Sequence, residues 1–283
     1  MKKGKKAAFV ACSNGLDIKN QEKINALVQI LNNMGIEVLF SDYIYDRGFG
    51  FGGTGKERAD ALMNFYKNEQ ITDIFDISGG DIGNEILPYL DYNVIARFDK
   101  TFWGYSDLTT VINAIYAKTG KSSVLYQVRN LVGEDGTCQI QNFKNTILDG
   151  KNDLYEIPYS FIQGNKMEGV LVGGNIRCLL KLAGTPYFPD MKEKILLLEA
   201  RSGKLVQMVA YLSQLKQLGV FEQVNGILLG TFTELERNRQ MPHVKDIIHN
   251  FAGPDLPIAY TSKIGHGVDS KGIRIGKGVR FQE

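Results

Sequence analysis

The chain of 283 residues carries 33 Lys and Arg against 31 Asp and Glu, which gives a formal net charge of +2. This balance argues against a dedicated nucleic-acid-binding protein, which usually shows a basic excess, and 43% hydrophobic residues are typical of a folded globular chain. Only Cys12, Cys138 and Cys178 are present, without the spacing of a zinc or dithiol motif. We therefore expect the protein to reside in the reducing cytoplasm and to bind neither a metal nor a cofactor.

The N-terminus has some features of a secretory signal, because basic residues 1–6 precede apolar residues 7–11 and Cys12. An apolar stretch of five residues is shorter than the about 7 to 15 that a signal peptide needs. We interpret the stretch as the first buried strand. No other apolar run approaches the roughly 18 residues of a membrane span, so we expect no membrane partner.

Short apolar runs alternate with amphipathic stretches in the first half of the chain. They predict strands at residues 6–12, 36–40, 71–77, 94–96, 101–103 and 123–127, and helices at residues 18–34, 56–67 and 107–118. Apolar strands that alternate with helices are typical of a parallel sheet covered on both faces. We predict a doubly wound, Rossmann- or flavodoxin-like α/β domain over residues 1–150, with its ligand site at the carboxyl ends of the strands.

The stretch 151–165 is polar and lacks periodicity, so we predict a linker there. Beyond it, the pattern predicts strands at residues 169–172, 195–198, 226–229, 257–260, 273–275 and 279–281, and helices at residues 175–183, 204–218 and 243–251. Residues 166–283 should therefore form a second α/β domain, with a mixed sheet.

A glycine-rich segment, residues 50–56, fits the spacing of a phosphate-binding loop, but Glu57 stands where such loops carry the Ser or Thr that binds magnesium. A carboxylate there would repel a phosphate, and no strand immediately precedes the loop. We interpret residues 47–55 as a mobile loop at the rim of a site, with Glu57 favouring the start of a helix.

Ser106 lies between a predicted strand and a predicted helix, in the sequence Gly104-Tyr105-Ser106-Asp107. A sharp turn in this setting exposes a nucleophilic serine in some hydrolases, and the helix N-terminus would favour its oxyanion. The usual second glycine is replaced by Leu108. An ordinary helix cap explains Ser106 or Asp107 equally simply, and caps are the more common feature.

Two glycines, Gly79 and Gly80, follow the strand predicted at residues 71–77. They allow the backbone to approach a ligand and to direct N–H groups at an anion. A plain glycine turn is the alternative.

Glu199 follows an apolar strand, where a carboxylate is costly unless it is paired. It either orients a histidine or turns to solvent or caps the next helix. His266 lies between two glycines and is either the partner of such a carboxylate or a loop residue without a role, whereas His243 and His249 have the pattern of surface residues. The order Ser106, Glu199, His266 occurs in serine hydrolases.

Several short stretches of this sequence, including those around Ser106, Glu199 and His266, resemble the LD-carboxypeptidase family of serine peptidases, which includes the microcin-C immunity peptidases. The blocks that carry the resemblance extend over nearly the whole chain, at residues 50–53, 78–83, 87–92, 100–107, 173–175, 198–199, 226–230 and 265–266. The Gly-Tyr-Ser-Asp block together with the downstream Glu and His makes the resemblance specific.

The resemblance implies that Ser106 is the nucleophile, His266 the general base and Glu199 its orienting carboxylate. It further implies an oxyanion hole made by the N–H groups of Gly80 and Asp107. Gly79 and Asp81, which flank Gly80, are expected to contact the substrate.

The family cleaves an amide beside a free carboxylate, and its best-known substrate is the murein tetrapeptide, from which terminal D-Ala is released. The resemblance thus implies a small peptide or muropeptide as the binding partner, and a homodimer.

The chain departs from the family pattern in two segments near the expected pocket. Residues 122–129 replace a region that often contains Gly-Pro, and Ala200-Arg201-Ser202-Gly203 replaces acidic residues that often follow the Glu. The identity of the substrate therefore stays open. The alternatives are an immunity-type hydrolase of a peptidyl- or aminoacyl-nucleotide, and a ligand-binding protein that has lost activity, against which the intact Ser, Glu and His argue.

Overall fold

The computed structural model describes residues 5–239 and 241–283. Within these ranges twelve strands form two sheets of six strands each. The strands are β1 (Lys5–Val10), β2 (Ile36–Phe40), β3 (Ile71–Asp76), β4 (Thr101–Gly104), β5 (Ser123–Leu125), β6 (Ser160–Gln163), β7 (Lys166–Asn175), β8 (Lys194–Ala200), β9 (Gly226–Phe232), β10 (Ile258–Tyr260), β11 (Ile273–Ile275) and β12 (Gly278–Gln282).

Ten α-helices connect and cover the strands in the same ranges. They are α1 (Gln21–Asn33), α2 (Gly55–Lys67), α3 (Tyr92–Arg97), α4 (Thr109–Thr119), α5 (Gly136–Ile147), α6 (Ile176–Leu180), α7 (Leu205–Gln217), α8 (Thr233–Arg237), α9 (Val244–Ile247) and α10 (His249–Ala252). Among these described helices, none combines the length and the apolar character needed to cross a membrane.

The first sheet has the strand order β11-β5-β4-β3-β1-β2. The five strands from the N-terminal half pair in parallel, and β11 adds an antiparallel edge beside β5. The second sheet has the order β12-β7-β8-β9-β10-β6, with parallel pairs in its centre and antiparallel pairs at both edges. The predicted fold class, a mostly parallel first sheet and a mixed second sheet, is confirmed.

Three local predictions need correction. Residues 94–96 belong to α3 and not to a strand, because the Asp91 side chain accepts hydrogen bonds from the backbone N–H groups of Asn93 and Val94 and so starts a helix. The helix predicted at residues 243–251 is divided into α9 and α10. The region predicted as a linker contains β6, which pairs with β10 at the edge of the second sheet.

The division into a domain 1–150, a linker 151–165 and a domain 166–283 stays a prediction. Two observations complicate this division: β6 lies inside the predicted linker, and β11 comes from the C-terminal region but completes the first sheet.

An aromatic cluster fixes α5 against the first sheet. Phe143 of α5 is fully buried, and its ring centroid lies 5.9 Å from the centroids of Phe75 and Trp103 and 6.3 Å from that of Tyr126. Aromatic rings at these separations stabilise one another beyond the area that they bury. The loop after β5 is thereby held at the carboxyl end of the sheet.

The two halves of the chain meet through buried polar groups between α4 and the β7–α6 region. Asn113 exchanges two hydrogen bonds with the backbone of Gly173, at 2.8 and 2.9 Å. The buried carboxylate of Asp107 accepts a hydrogen bond from Lys181 Nζ at 2.5 Å. These contacts fix the end of the first sheet against the end of the second.

We predict that Phe143→Ala lowers the free energy of unfolding by about 3–5 kcal/mol, because it removes a buried ring and leaves a cavity. Urea titration followed by the fluorescence of Trp103, the single tryptophan of the chain, measures the change inside the same cluster. Leu148→Ala is the control, since Leu148 lies just past α5 and is 37% exposed. Equal losses in the two variants would contradict the packing described here.

We predict that Lys181→Met destabilises the protein by about 3 kcal/mol, because a buried carboxylate loses its cationic partner. The Asp107 side chain is fully buried, and Lys181 is its ion-pair partner. The matched control is Lys56→Met, which breaks the exposed pair with Asp60 on α2. Thermal unfolding should shift for the first variant and remain unchanged for the second, and a similar melting temperature for both would refute the expectation.

Candidate active site

The carboxyl ends of the strands in the first sheet open into a cavity of about 470 Å³. Its wall includes Gly80, which follows β3, Ser106, which follows β4, and Arg129, which follows β5. The second half of the chain contributes Arg201 and His266. The cavity therefore lies where ligand sites of parallel α/β sheets are found, and both halves of the chain build it.

Ser106 lies at a strained turn between β4 and a 3₁₀ turn (Ser106–Leu108) that leads into α4. Its φ of 55° is in the left-handed region, which a residue with a side chain rarely adopts. Neither this turn nor α4 has Ser106 as its N-cap, and no side-chain capping hydrogen bond is present. The helix-cap interpretation of Ser106 is therefore wrong, and strain of this kind is typical of functional sites.

The absence of a second glycine after Ser106 has a steric explanation. A Cβ on Gly104 would lie 2.6 Å from the Cβ of Leu108. Because residue 104 is a glycine, Leu108 packs directly against the strand end and the sharp turn closes without a glycine at position 108.

The carboxylate of Asp107 is structural. One oxygen accepts hydrogen bonds from Ser13 Oγ and the Gly83 N–H, each at 2.6 Å, and the other accepts from Lys181. All of these hydrogen-bond partners are groups of the protein itself, and the Asp107 side chain is fully buried. Any direct contribution of Asp107 to the cavity must come from its backbone N–H.

Glu199 is fully buried at the end of β8 and is paired with His266. Its Oε2 atom lies 2.8 Å from His266 Nδ1, and its Oε1 atom accepts a hydrogen bond of 3.0 Å from Asn175 Nδ2. Because an ionised carboxylate can only accept, this contact requires a proton on His266 Nδ1, and in the neutral imidazole it leaves the lone pair on Nε2. The interpretation of Glu199 as a solvent-facing strand end or a cap is wrong, and that of His266 as an isolated loop residue is wrong too.

Asn175 is a site residue that sequence reasoning missed. It is the last residue of β7 and pairs in register with Glu199 on β8. Its Oδ1 atom accepts from the Cys178 N–H at 3.4 Å, so the same side chain caps α6 and orients the carboxylate. The sequence pattern indicates Asn175 only as the start of a predicted helix and as part of the block 173–175, and neither feature shows that its side chain supports a carboxylate.

Tyr105 holds the loop that carries His266. The two ring centroids lie 4.5 Å apart, and the Tyr105 hydroxyl donates to the Gly265 carbonyl, which also accepts from Ser270 Oγ at 2.6 Å. Burial raises the pKa of Tyr105 well above its usual value, and the Glu199 charge adds to this, so the phenol stays a donor. Gly265 has a φ of 147°, and a Cβ there would lie 1.8 Å from Thr231 Oγ1.

Ser106 and His266 line the same cavity without a hydrogen bond between them. The Nε2 atom of His266 is buried and has no hydrogen-bond partner among the residues that the structure describes. The structure thus brings together the three residues predicted as a triad, with the Glu199–His266 contact formed and the Ser106–His266 contact not formed. Hydrogen bonds of catalytic groups are often loose in unliganded proteins.

The predicted oxyanion and substrate residues divide into two groups. Gly79 and Gly80 line the cavity, and Gly80 has a φ of 135° and no room for a Cβ, which would lie 2.0 Å from Asn14 Oδ1. Asp81 is not part of the wall, and its carboxylate forms an ion pair with Arg177, which lowers the pKa of Asp81. The backbone of this turn therefore faces the cavity while its acid lies outside.

The glycine-rich segment packs behind this cavity wall. The Gly15 N–H donates to the Gly50 carbonyl at 2.9 Å. Thr54 caps α2 and Glu57 completes a capping box, which confirms the expected position of Glu57 at a helix start. Hydrogen bonds from Thr54 lower the pKa of Glu57.

The guanidinium groups of Arg129 and Arg201 were also missed as site residues. Both residues line the cavity, and the sequence pattern indicates their segments only as departures from the family pattern. In residues 5–239 and 241–283, no group of three or more His, Cys, Asp or Glu side chains could hold a metal ion.

Proteins similar to this chain include the microcin C7 self-immunity protein MccF of Escherichia coli, at 27% identity over 88% of this chain and 86% of that protein. A murein tetrapeptide carboxypeptidase of Pseudomonas aeruginosa is 24% identical over 90% of this chain and 86% of that protein. The solved structure of an MccF-like protein from Bacillus anthracis matches with a TM-score of 0.86 at 26% identity, over 100% of this chain and 95% of that one.

Family models match both halves of the chain. Residues 7–126 match the LD-carboxypeptidase N-terminal domain, which contains the Ser106 turn. Residues 168–281 match the LD-carboxypeptidase C-terminal domain, which contains Glu199 and His266. The chain belongs to the LD-carboxypeptidase family.

Proposed function

We propose that this chain is a serine-type LD-carboxypeptidase that releases the terminal D-Ala of a murein tetrapeptide. The observation that carries the proposal is the buried hydrogen bond between Glu199 and His266 at the wall of a cavity that also contains the strained Ser106. A serine is a weak nucleophile without a base, and a base needs an orienting group. The proposal includes a cytoplasmic homodimer, as the family resemblance implies.

Acylation would begin at the free lone pair of His266 Nε2. This atom takes the hydroxyl proton of Ser106 while Oγ bonds to the carbonyl carbon of the scissile amide. The imidazolium that forms is stabilised by the Glu199 carboxylate 2.8 Å from Nδ1. When the C–N bond breaks, His266 transfers the same proton to the leaving nitrogen, so D-Ala departs as a neutral amine and the peptide remains as an ester on Ser106.

Deacylation repeats these proton transfers with water. His266 takes a proton from a water molecule as the water oxygen bonds to the ester carbonyl carbon. The C–Oγ bond then breaks, and His266 returns the proton to Ser106. The products are a tripeptide with a free carboxylate and D-Ala, and the protein is regenerated unchanged.

The N–H groups of Gly80 and Asp107 would stabilise the tetrahedral oxyanion. The turns after β3 and β4 are adjacent because these strands pair in the sheet. Neither N–H group donates a hydrogen bond to another group in the described part of the chain. Donors that are already positioned before the reaction lower the barrier without reorganisation.

A nucleotide substrate is less well supported. A base-binding site needs an accessible aromatic surface at the cavity, and the exposed Phe49 and Phe51 are not among the residues that line it. Trp103 is 1% exposed and packed against Phe75 and Phe143. Tyr105 is buried and its ring faces His266. The cavity wall is instead rich in amide, hydroxyl and guanidinium groups, which suit a peptide with free carboxylates.

We predict that Ser106→Ala lowers the rate of D-Ala release from the tetrapeptide by at least about 10³-fold, because the acyl-enzyme can no longer form. Released D-Ala is measured by mass spectrometry. Ser160→Ala, on the exposed edge strand β6, is the matched control and should retain full activity. Undiminished release by the Ser106 variant would overturn the assignment of the nucleophile.

We predict that Glu199→Gln lowers kcat by about 10³-fold or more with an unchanged fold. Both carboxylate oxygens of Glu199 accept hydrogen bonds, whereas glutamine has a single acceptor oxygen, so its NH₂ group must face either His266 Nδ1 or Asn175 Nδ2. An NH₂ group that faces Nδ1 removes the acceptor of the His266 hydrogen bond, and one that faces Nδ2 removes the hydrogen bond from Asn175 that supports residue 199. Glu222→Gln, at an exposed loop, is the control. A Glu199→Gln enzyme with the control's kcat would show that the pair does not act in the reaction.

A further inference from the structure

Two arginines from different halves of the chain line the cavity. Arg129 lies in a 3₁₀ turn (Val128–Val132) after β5, and Arg201 follows β8, two residues beyond Glu199. Burial lowers the pKa of the Arg129 guanidinium, the charge of Asp76 raises it, and the charge of Arg201 lowers it again. Both arginines line the same cavity, where their like charges oppose each other.

No carboxylate lies within 4.0 Å of either guanidinium in the part of the chain that the structure describes. Two other arginines are paired there, Arg58 with Glu85 and Arg177 with Asp81. Arg129 is half-buried and Arg201 is exposed. Because a half-buried charge is normally compensated, the unpaired Arg129 guanidinium makes the cavity a favourable place for an anion, and Arg201 adds a second positive charge at its wall.

The nearby acids do not supply that anion. Asp76 accepts hydrogen bonds from the Cys12 N–H at 2.7 Å and from the N–H and hydroxyl of Ser78. Asp17, on the cavity wall, is exposed and accepts from the backbone N–H of Lys19, whose ammonium lies 3.8 Å away. Both acids are engaged with other groups, so the positive charge of the two arginines is available to an anionic ligand.

The strand order indicates which part of a substrate the arginines would contact. Because β4 lies between β3 and β5, Gly80 lies on one side of Ser106 and Arg129 on the other. An oxyanion directed at the Gly80 N–H therefore points away from Arg129. Arg201 follows the strand that carries Glu199, on the His266 side of the cavity, and the leaving nitrogen must approach His266 to receive its proton.

We propose that Arg129 and Arg201 together bind the free carboxylate of the leaving residue and so make the enzyme selective for substrates that end in an acid. This inference rests on the proposed function. Guanidinium groups bind carboxylates with paired, charge-assisted hydrogen bonds. Both arginines lie in the segments where this chain departs from the family pattern, so this carboxylate site belongs to this chain's own sequence.

The test compares three substrates with the same scissile amide. The first is the tetrapeptide acid, the second has the carboxylate of its terminal D-Ala converted to a carboxamide, and the third has its acyl-side carboxylates converted to carboxamides. The value of kcat/KM is measured for the wild type, Arg129→Gln, Arg201→Gln and the double variant. Arg97→Gln, at the exposed end of α3, is the matched control.

We expect the wild type to prefer the acid over the D-Ala carboxamide by about 10- to 100-fold, the range for a hydrogen-bonded ion contact. Each Gln variant should lose most of this factor on the acid and change little on the carboxamide, so the preference disappears. A merely structural role would lower kcat/KM for both substrates alike. Arg129→Lys should recover part of the preference, because it restores the charge without the paired geometry.

Three results would overturn the inference. Variants that keep the full preference for the acid would show that the arginines do not contact the carboxylate. A loss confined to the substrate with modified acyl-side carboxylates would place the anion on the other side of Ser106. No turnover of any substrate by the wild type would instead reject the proposed function, and this inference with it.

Discussion

The site depends on the burial of one carboxylate. Glu199 is fully buried at the end of a central strand, where an unpaired charge would be strongly unfavourable. Hydrogen bonds from His266 and Asn175 satisfy both of its oxygens, and these two partners come from a loop near the C-terminus and from the neighbouring strand β7. The position of the imidazole is thus a consequence of the need to solvate a buried charge.

A second buried carboxylate has the corresponding role on the other side of the cavity. Asp107 is held by Ser13, by Gly83 and by Lys181 from the other half of the chain, and this fixes the turn that carries Ser106. Each half therefore has one acid whose side chain is structural or orienting and lies next to a residue of the proposed triad. The proposed active site requires both halves because the proposed nucleophile and the proposed base come from different halves.

The sequence was sufficient to identify most strands and the residues of the proposed triad as candidates, and insufficient where long-range contacts decide. Apolar runs identified most strands. The strand predicted at residues 94–96 was wrong because a run of three apolar residues shows no periodicity and because the Asp91 helix cap was overlooked. The helix α5 was missed because its buried residues are Gln139, Phe143 and Thr146, two of which are polar. The strand β11 was predicted, but nothing local indicates that it pairs with the first sheet.

The same distinction applies to the site. Ser106, Glu199 and His266 stand in recognisable local patterns, while Asn175 and Arg129 acquire their significance only from neighbours brought there by the fold. The most direct test of the account uses a tetrapeptide analogue with a diphenyl phosphonate in place of the scissile carbonyl, followed by peptide mapping of the labelled protein. The account predicts a covalent adduct on Ser106 that is lost in the Glu199→Gln variant. An adduct on another residue that nevertheless abolishes D-Ala release would contradict it.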